Sequence, residues 1–450
     1  MNEHQSGNLW MKRNQIQCML WFWLLLAASR FAAIFALGQF LNGQHFTDDY
    51  RGVLAMVDSP MQILLARSEG GFAFWPPFFP VLVFLIGKPA GVVLSDFYLI
   101  RTISVAFELL AWPLVWLCVM RAFAMSTRQV SAFAFAYILA PVAWMSTSVM
   151  GQDESVALLF IAGATLLAMN KRWTLAALAC GLGAVSAKVY LAIPLAAFVL
   201  LPWDSWLGMV KRAAIGLLPI VLVYGFVAVM QLLRVPVETD GTGVAILDFT
   251  PIGVHAVSGW VMVYKVFDVS MEHVKYISAA VAFLAAMSVA AWSVMRRDIG
   301  VLPPRVLATV TAMLLSVFLV FYHCDPEYYL MVAPFVIAAT SGWLRWIVCV
   351  GMLSLGYVVN IAYGVSYAKS HGASKAGKSV FVDIYDRLVP IEPDVVHTLA
   401  LVGLLAANLI LLGVLLRRLW SGRFESEETS RDQGDSTPKI GQESPNRGRV

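Results

Sequence analysis

A succession of apolar stretches joined by mostly short polar loops constrains this chain most. A helix needs about 20 mostly apolar residues to cross a bilayer. Ten spans are predicted, at 16–41, 98–120, 130–149, 154–170, 213–233, 273–295, 304–322, 328–342, 344–366 and 395–416. Two further short helices are predicted in 174–202. The pattern therefore predicts an all-α polytopic membrane protein with about twelve transmembrane helices.

The charge content excludes most other classes of protein. Charged residues make up 13% of the chain, against about 25% in soluble domains. Of the 32 Lys and Arg and 28 Asp and Glu residues, 13 lie in 417–450, so the other 416 residues share only 47. That is too few to cover a water-soluble surface. The net charge of +4 and the lack of a basic arm argue against a nucleic-acid partner. Four of the five cysteines lie in apolar stretches and only Cys324 in a polar loop, which indicates no disulfide framework.

Lysine and arginine positions orient the predicted spans. The loops rich in these residues all fall on the cytoplasmic side if 76–95 does not cross the membrane. We therefore expect 76–95 to be interfacial or re-entrant. The predicted division is a cytoplasmic N-terminus, a transmembrane domain and a disordered cytoplasmic tail: 1–15, 16–422 and 423–450. A long first external loop is expected to carry interfacial helices, and the main external loops are 42–97, 234–272 and 367–393.

Lys188 is the most informative single residue. Small residues and a proline interrupt its stretch, which predicts two short helices with Lys188 near their junction. A charge at membrane depth costs about 3 kcal/mol on insertion scales. Such a residue is usually retained for a partner, and an anionic phosphate is a suitable one. The alternative is a lysine whose head extends from a helix end to the interface. Arg30 and Arg101 raise the same question.

Acidic and aromatic residues mark the first external loop. Asp48 and Asp49 follow the first span closely. A carboxylate fixed there would serve as a general base toward a hydroxyl or hold a metal, although Asp-Asp pairs are also common in solvated turns. Trp75 begins a Trp-Pro-Pro run, which is typical of an interfacial anchor and is compatible with a lipid-binding groove.

Two later external turns carry further candidates. In Gly151-Gln152-Asp153-Glu154, the acids either cap the following helix, or Gln152 and Asp153 hydrogen-bond a polar substrate. The turn from His323 to Tyr329 also contains Glu327 and Tyr328. His323 is suited to binding phosphate or assisting proton transfer. Two alternatives are open for this turn. His323 and the nearby acids would bind zinc, although further ligands are not evident in the sequence, or the turn would lie at the interface with aromatic anchors.

In this order, the motifs resemble those of the GT-C superfamily of multi-spanning glycosyltransferases. The resemblance covers roughly residues 16–340, and the Gly-Gln-Asp turn and the Lys-Pro segment look most like bacterial relatives of GPI-anchor mannosyltransferases. It rests on an acidic first loop, a Pro-Pro segment, a Gly-Gln-Asp turn, a lysine and proline in broken helices, and a His-x-x-x-Glu-Tyr-Tyr turn (Asp48, Asp49, Trp75 to Phe79, Gly151 to Asp153, Lys188, Pro194, His323 to Pro334).

The resemblance implies a GT-C-like fold and the transfer of a sugar from a polyprenyl-phosphate donor, with inversion. Mannose is the expected sugar. Asp48 or Asp49 would be the general base for the acceptor hydroxyl. Lys188, with His323 or an arginine (Arg101 or Arg30), would stabilise the leaving phosphate. Substrate contacts are expected from Gln152, Asp153, Glu327, Tyr328 and Trp75.

The resemblance implies no cofactor and no catalytic metal, and a divalent metal stays an open alternative. The expected partners are the lipid-linked donor, a glycan, lipid or protein acceptor, and membrane lipid. The expected location is a bacterial inner membrane, with the active site facing outward.

Two other functions remain open. A secondary transporter of a small polar solute also commonly has about twelve spans, but it should carry related halves and polar residues near the midplane, and no clear repeat is visible. A non-catalytic membrane scaffold would tolerate Asn at positions 48 and 49.

Overall fold

The structure is a computed structural model. It describes residues 13–40, 79–123, 125–234, 271–296, 302–321, 324–340, 353–371 and 376–421, with a few single residues between 260 and 351. In this described part the chain is helical and contains no β-strand. Several of its helices are long and apolar, as in a multi-pass membrane protein.

Fifteen helices are followed here in chain order. They are α1 Arg13–Phe40, α2 Phe79–Ala90, α3 Asp96–Ala122, α4 Thr127–Leu139, α5 Pro141–Met150, α6 Glu154–Met169, α7 Trp173–Ser186, α8 Leu195–Leu200, α9 Trp206–Arg234, α10 Met271–Met295, α11 Pro303–Val320, α12 Ala333–Ala339, α13 Leu353–His371, α14 Ala376–Leu388 and α15 Pro393–Ser421. Short 3₁₀ segments stand at Val189–Ala192 and Pro326–Met331.

The predicted count of twelve spans is not confirmed. Six helices in the described residues are long and apolar enough to cross a membrane, namely α1, α3, α9, α10, α11 and α15. The bent pair of α4 and α5 makes a seventh if it is one span. The prediction exceeded this count because hydropathy reports apolar length and does not reveal where the backbone breaks.

Several predicted spans are short helices. Helix α6 has 16 residues and α7 has 14, so at 1.5 Å per residue they are about 24 and 21 Å long. The hydrocarbon core is about 30 Å thick. Helix α2, within the ambiguous 76–95 stretch, has 12 residues and reaches about 18 Å, which is too short for an independent crossing.

Local sequence explains the bend between α4 and α5. Helix α4 begins with a capping box in which Ser126 and Gln129 satisfy each other's backbone N–H groups. It ends at Leu139 because Ala140 precedes a proline and is extended, with φ −61° and ψ 120°. Pro141 then starts α5 at a position where its missing N–H costs nothing. The two axes differ by 49°.

The core lies around α3 and α11. In the most apolar stretch of each helix, 83% of the α11 residues and 61% of the α3 residues are buried. Only 22% are buried in α1 and in α9. Helices α7 and α9 approach closely at Gly181 and Gly216, where a Cβ on Gly181 would clash with the Gly216 carbonyl oxygen. Small residues at such crossings are typical of membrane helix pairs. Cys324, expected in a polar loop, is buried.

Candidate functional site

The Gly-Gln-Asp turn is held rigidly against α3. Gly151 adopts a left-handed conformation with φ 71°, and a Cβ there would meet the Ile100 side chain at 2.9 Å. Ser104 Oγ donates to the Gln152 carbonyl oxygen at 2.5 Å. Arg101 Nε donates to the Val149 carbonyl oxygen at 3.0 Å. These contacts fix the backbone immediately before Asp153 and Glu154.

Lys188 lies at the break after α7. Its backbone is extended, with φ −143° and ψ 132°, between the end of α7 and the 3₁₀ segment. Its Nζ atom lies 3.0 Å from Asp153 Oδ1 and 3.0 Å from Glu154 Oε1. Both carboxylates are buried. Asp153 is the N-cap residue of α6, but its side chain makes no capping hydrogen bond.

The 3₁₀ segment Pro326–Met331 closes the other side of the site. Lys188 Nζ lies 4.8 Å from the centroid of the Tyr328 ring, and the Tyr190 and Tyr328 rings are 5.3 Å apart. The Glu327 carboxyl is within electrostatic range of Glu154 and Lys188. We call Asp153, Glu154, Lys188, Glu327 and Tyr328 the Lys188 cluster.

The Lys188 cluster contains more carboxyl groups than cationic groups. It contains three carboxyl groups and one ammonium, and Asp325 is a fourth carboxyl within electrostatic range of Glu327. Glu327 is 8% exposed, and its Oε2 atom has no hydrogen-bond partner among the residues that the structure describes. Within the same residues, no three His, Cys, Asp or Glu side chains are placed to hold a metal ion.

Arg30 belongs to a different buried group. Its Nε and Nη2 atoms donate to the two oxygens of Glu108, each at 2.9 Å, and Nη1 donates to the Ile138 carbonyl oxygen at 3.0 Å. Tyr137 and Thr147 hydroxyls donate to the same carboxylate at 3.0 and 2.9 Å. We call Arg30, Glu108, Tyr137 and Thr147 the Glu108 network. The phosphate role expected of Arg30 would require breaking it.

Arg101 is likewise engaged by protein groups. Besides its bond to Val149, its Nη1 donates to the Phe97 carbonyl oxygen at 2.9 Å, and its guanidinium lies 3.7 Å from the Phe97 ring centroid. The residue is 2% exposed. In this conformation it holds the turn and does not present its charge to a ligand.

The structure brings together Asp153, Lys188, Glu327 and Tyr328, and places Gln152 in the turn that leads into them. Arg30 and Arg101 are engaged by other protein groups. The remaining predicted site residues lie outside the described residues, namely Asp48, Asp49, Trp75 and His323. No protein-family model matches the chain, and no curated protein is significantly similar to it.

Sequence reasoning did not identify some residues that the structure adds to these sites. Glu154 was read mainly as a cap, yet it is an ion-pair partner of Lys188. Glu108 was not singled out, although a lone acid in an apolar stretch signals a buried partner. Tyr357 was also missed, and its hydroxyl lies 2.7 Å from Ser146 Oγ. No pattern in the sequence pairs these two residues.

Proposed function

We propose that this chain is a membrane glycosyltransferase that moves a sugar from a polyprenyl-phosphate donor to an acceptor hydroxyl with inversion. Mannose is the expected sugar. The observation that carries the proposal is that three of the five motifs behind the resemblance meet in one cluster. Lys188 contacts Asp153 of the Gly-Gln-Asp turn and Tyr328 of the His-x-x-x-Glu-Tyr-Tyr turn. These residues are far apart in sequence, so chance proximity is a weaker explanation.

The location of the cluster also favours a reaction at a membrane face. Glu154 begins α6 and Lys188 follows α7, while Lys171 and Arg172 lie at the opposite ends of these helices. Basic residues mark cytoplasmic loops, which favours a location of the cluster toward the other face. Because α6 and α7 are shorter than the bilayer core, the cluster would lie recessed from that face, where a lipid phosphate and a sugar can both reach.

In the proposed reaction, a first-loop aspartate takes the acceptor proton. The acceptor oxygen attacks the anomeric carbon, and the bond from that carbon to the phosphate oxygen breaks. The lipid phosphate leaves with the electron pair, and a positioned cation stabilises its charge. Lys188 supplies that cation in the proposal, and it must then exchange a carboxylate partner for the phosphate.

Turnover in nanodiscs tests this proposal. Full-length protein would be incubated with a panel of polyprenyl-phosphate sugars and an acceptor panel, and release of polyprenyl phosphate would be followed. We expect Lys188→Met to lower turnover about a hundredfold, the usual cost of removing one transition-state contact. Lys211→Met removes an exposed lysine and should leave turnover unchanged. Folded protein that releases lipid phosphate from no donor would refute the proposal.

A secondary transporter is the second candidate. The break between α7 and α8 beside buried charges favours it, since transporters often bind solutes where helices are discontinuous. Such sites usually lie near the midplane, whereas the Lys188 cluster is at helix ends. Solute exchange across proteoliposomes without lipid-phosphate release would favour the transporter over the enzyme.

A further inference from the structure

The carboxyl groups of the Lys188 cluster outnumber its one ammonium group. Lys188 divides one positive charge between Asp153 and Glu154, with 3.0 Å contacts to each. Glu327 then adds a further buried carboxyl within range of Glu154. Burying a carboxylate without a hydrogen-bonded counter-ion is costly. A second cation near Glu327 would remove most of that cost.

Glu327 supplies an independent sign of a ligand. It is more than nine-tenths buried, and its Oε2 atom lacks a hydrogen-bond partner in the described part of the chain. Its electrostatic neighbours are the carboxyls of Glu154 and Asp325 and the ammonium of Lys188, so it lies among the cluster charges. An acceptor atom in such a position is normally satisfied by something.

The chemistry of the cluster favours one kind of cation. The described carboxyls do not converge as ligands of a metal ion. A protonated amine is less demanding, because its three N–H donors reach separate acceptors at about 2.8 Å. Tyrosine rings also attract ammonium groups, and the ring of Tyr328, the residue next to Glu327 in the chain, lies 5.3 Å from the Tyr190 ring.

We propose that Glu327 and Glu154 bind the protonated amino group of a ligand. The use of this site for a substrate rests on the proposed glycosyl transfer, whereas the binding itself does not. The amine would lie on a sugar ring or on the ethanolamine headgroup of a phospholipid, since both present the same ammonium to the carboxyls.

The competing explanation needs no ligand. Glu327 and Glu154 would share a proton, and the surplus charge would disappear without a second cation. Amine binding separates the two explanations, because a shared proton confers no preference for an amino group.

Equilibrium binding to full-length protein in phosphatidylcholine nanodiscs tests the site. The probes are glucosamine, glucose and N-acetylglucosamine, at a pH where glucosamine is charged. We expect glucosamine to bind at least about tenfold more tightly than the two neutral sugars, as one charge-assisted contact is worth about 1.5 kcal/mol or more. Glu327→Gln should remove this preference, and the exposed control Glu392→Gln should keep it.

The lipid source is tested by adding phosphatidylethanolamine to the nanodiscs. Competition with glucosamine that disappears in Glu327→Gln would assign the site to the headgroup, and no competition would assign it to a sugar. Equal binding of the three probes, binding of none of them, or an unchanged preference in Glu327→Gln would overturn the inference. Donor turnover on the same preparation reports separately on the proposed transfer.

Discussion

Two buried groups of charges in this molecule differ in how completely they are paired. In the Glu108 network, one guanidinium faces one carboxylate, and both carboxylate oxygens accept two donors each. In the Lys188 cluster, one ammonium serves several carboxyls, and Glu327 Oε2 has no hydrogen-bond partner among the described residues. A network whose polar atoms are all hydrogen-bonded stabilises the fold, whereas a carboxylate oxygen without a partner is available to bind a ligand.

The elements around the two groups differ as well. The Glu108 network joins the long helices α1 and α3 to the bent pair of α4 and α5. The Lys188 cluster lies where α7 breaks and where a 3₁₀ segment precedes α12. Non-helical backbone at membrane depth is tolerated where it is covered by protein or lines a cavity, which fits a binding site better than a structural support.

Breaking the Glu108 network should have the largest effect on stability. Arg30→Met leaves Glu108 buried without its counter-ion, and removal of one partner of such a pair costs about 3–5 kcal/mol. The measurement is thermal unfolding in detergent, with Arg121→Met as the exposed control. The double variant Arg30→Met/Glu108→Leu should recover part of the loss. A single variant as stable as the wild type would contradict a structural role.

Removing Lys188 should destabilise the protein by about 3 kcal/mol, because Asp153 and Glu154 lose their cation. Adding Glu154→Gln removes one of the two stranded charges, so Lys188→Met/Glu154→Gln should be more stable than Lys188→Met alone. Thermal unfolding of the four proteins of this cycle measures the coupling. Additive changes would mean that Lys188 does not offset these carboxylates.

Neutralising Glu327 should act in the opposite direction from breaking the Glu108 network. Glu327→Gln removes one charge from the surplus, so we expect about 1 kcal/mol of added stability, an ordinary single-substitution effect. Glu108→Gln should instead destabilise, because Arg30 loses its counter-ion. Unfolding curves for the two variants compare them directly. Equal losses would show that both groups are satisfied in the same way.

The smallest effect on stability is expected from removing a solvent-exposed carboxylate that forms an ion pair. Asp204, in the turn before α9, accepts hydrogen bonds from two Arg212 nitrogens at 2.8 Å. These bonds lower the pKa of the Asp204 carboxyl well below its usual range. Because the folded-state pKa is depressed, the pair stabilises the protein above the unfolded pKa of about 4 and loses this contribution as the pH falls through the folded value.

The test compares the melting temperatures of wild type and Asp204→Asn between pH 7 and pH 2.5. The difference should be constant above about pH 5 and shrink below about pH 4. Its size should be small, since exposed pairs contribute little. A difference that stays constant down to pH 2.5 would mean that Asp204 titrates elsewhere.

The sequence predicted the position of an isolated charge relative to the helices better than it predicted the helix boundaries. Lys188 was expected near a helix junction with an anionic phosphate as its partner. It lies after the end of α7, its partners in the structure are the carboxylates of Asp153 and Glu154, and the phosphate stays a prediction. An unpaired charge in an apolar stretch is locally visible, because its cost is large. Its partners were not, since Asp153 and Glu154 approach it only after α6 and α7 pack together.

The predicted count of twelve spans is not confirmed in the described residues, where several apolar stretches are broken or short helices. Hydropathy sums apolar residues, so 130–149 and 154–170 register as complete spans. Pro141 bends the first, and the second is a 16-residue helix. Backbone breaks depend on single residues that hardly change the mean hydropathy. The predicted base, Asp48 or Asp49, lies outside the described residues and stays a prediction.

Lipid-phosphate release per folded molecule tests the central claim most directly, that the Lys188 cluster is a substrate site. Wild type, Lys188→Met, Glu327→Gln and the exposed controls Lys211→Met and Glu392→Gln would be compared in nanodiscs with polyprenyl-phosphate mannose. The account predicts that folded Lys188→Met and Glu327→Gln lose turnover and that both controls retain it. Full turnover in both cluster variants would contradict the account.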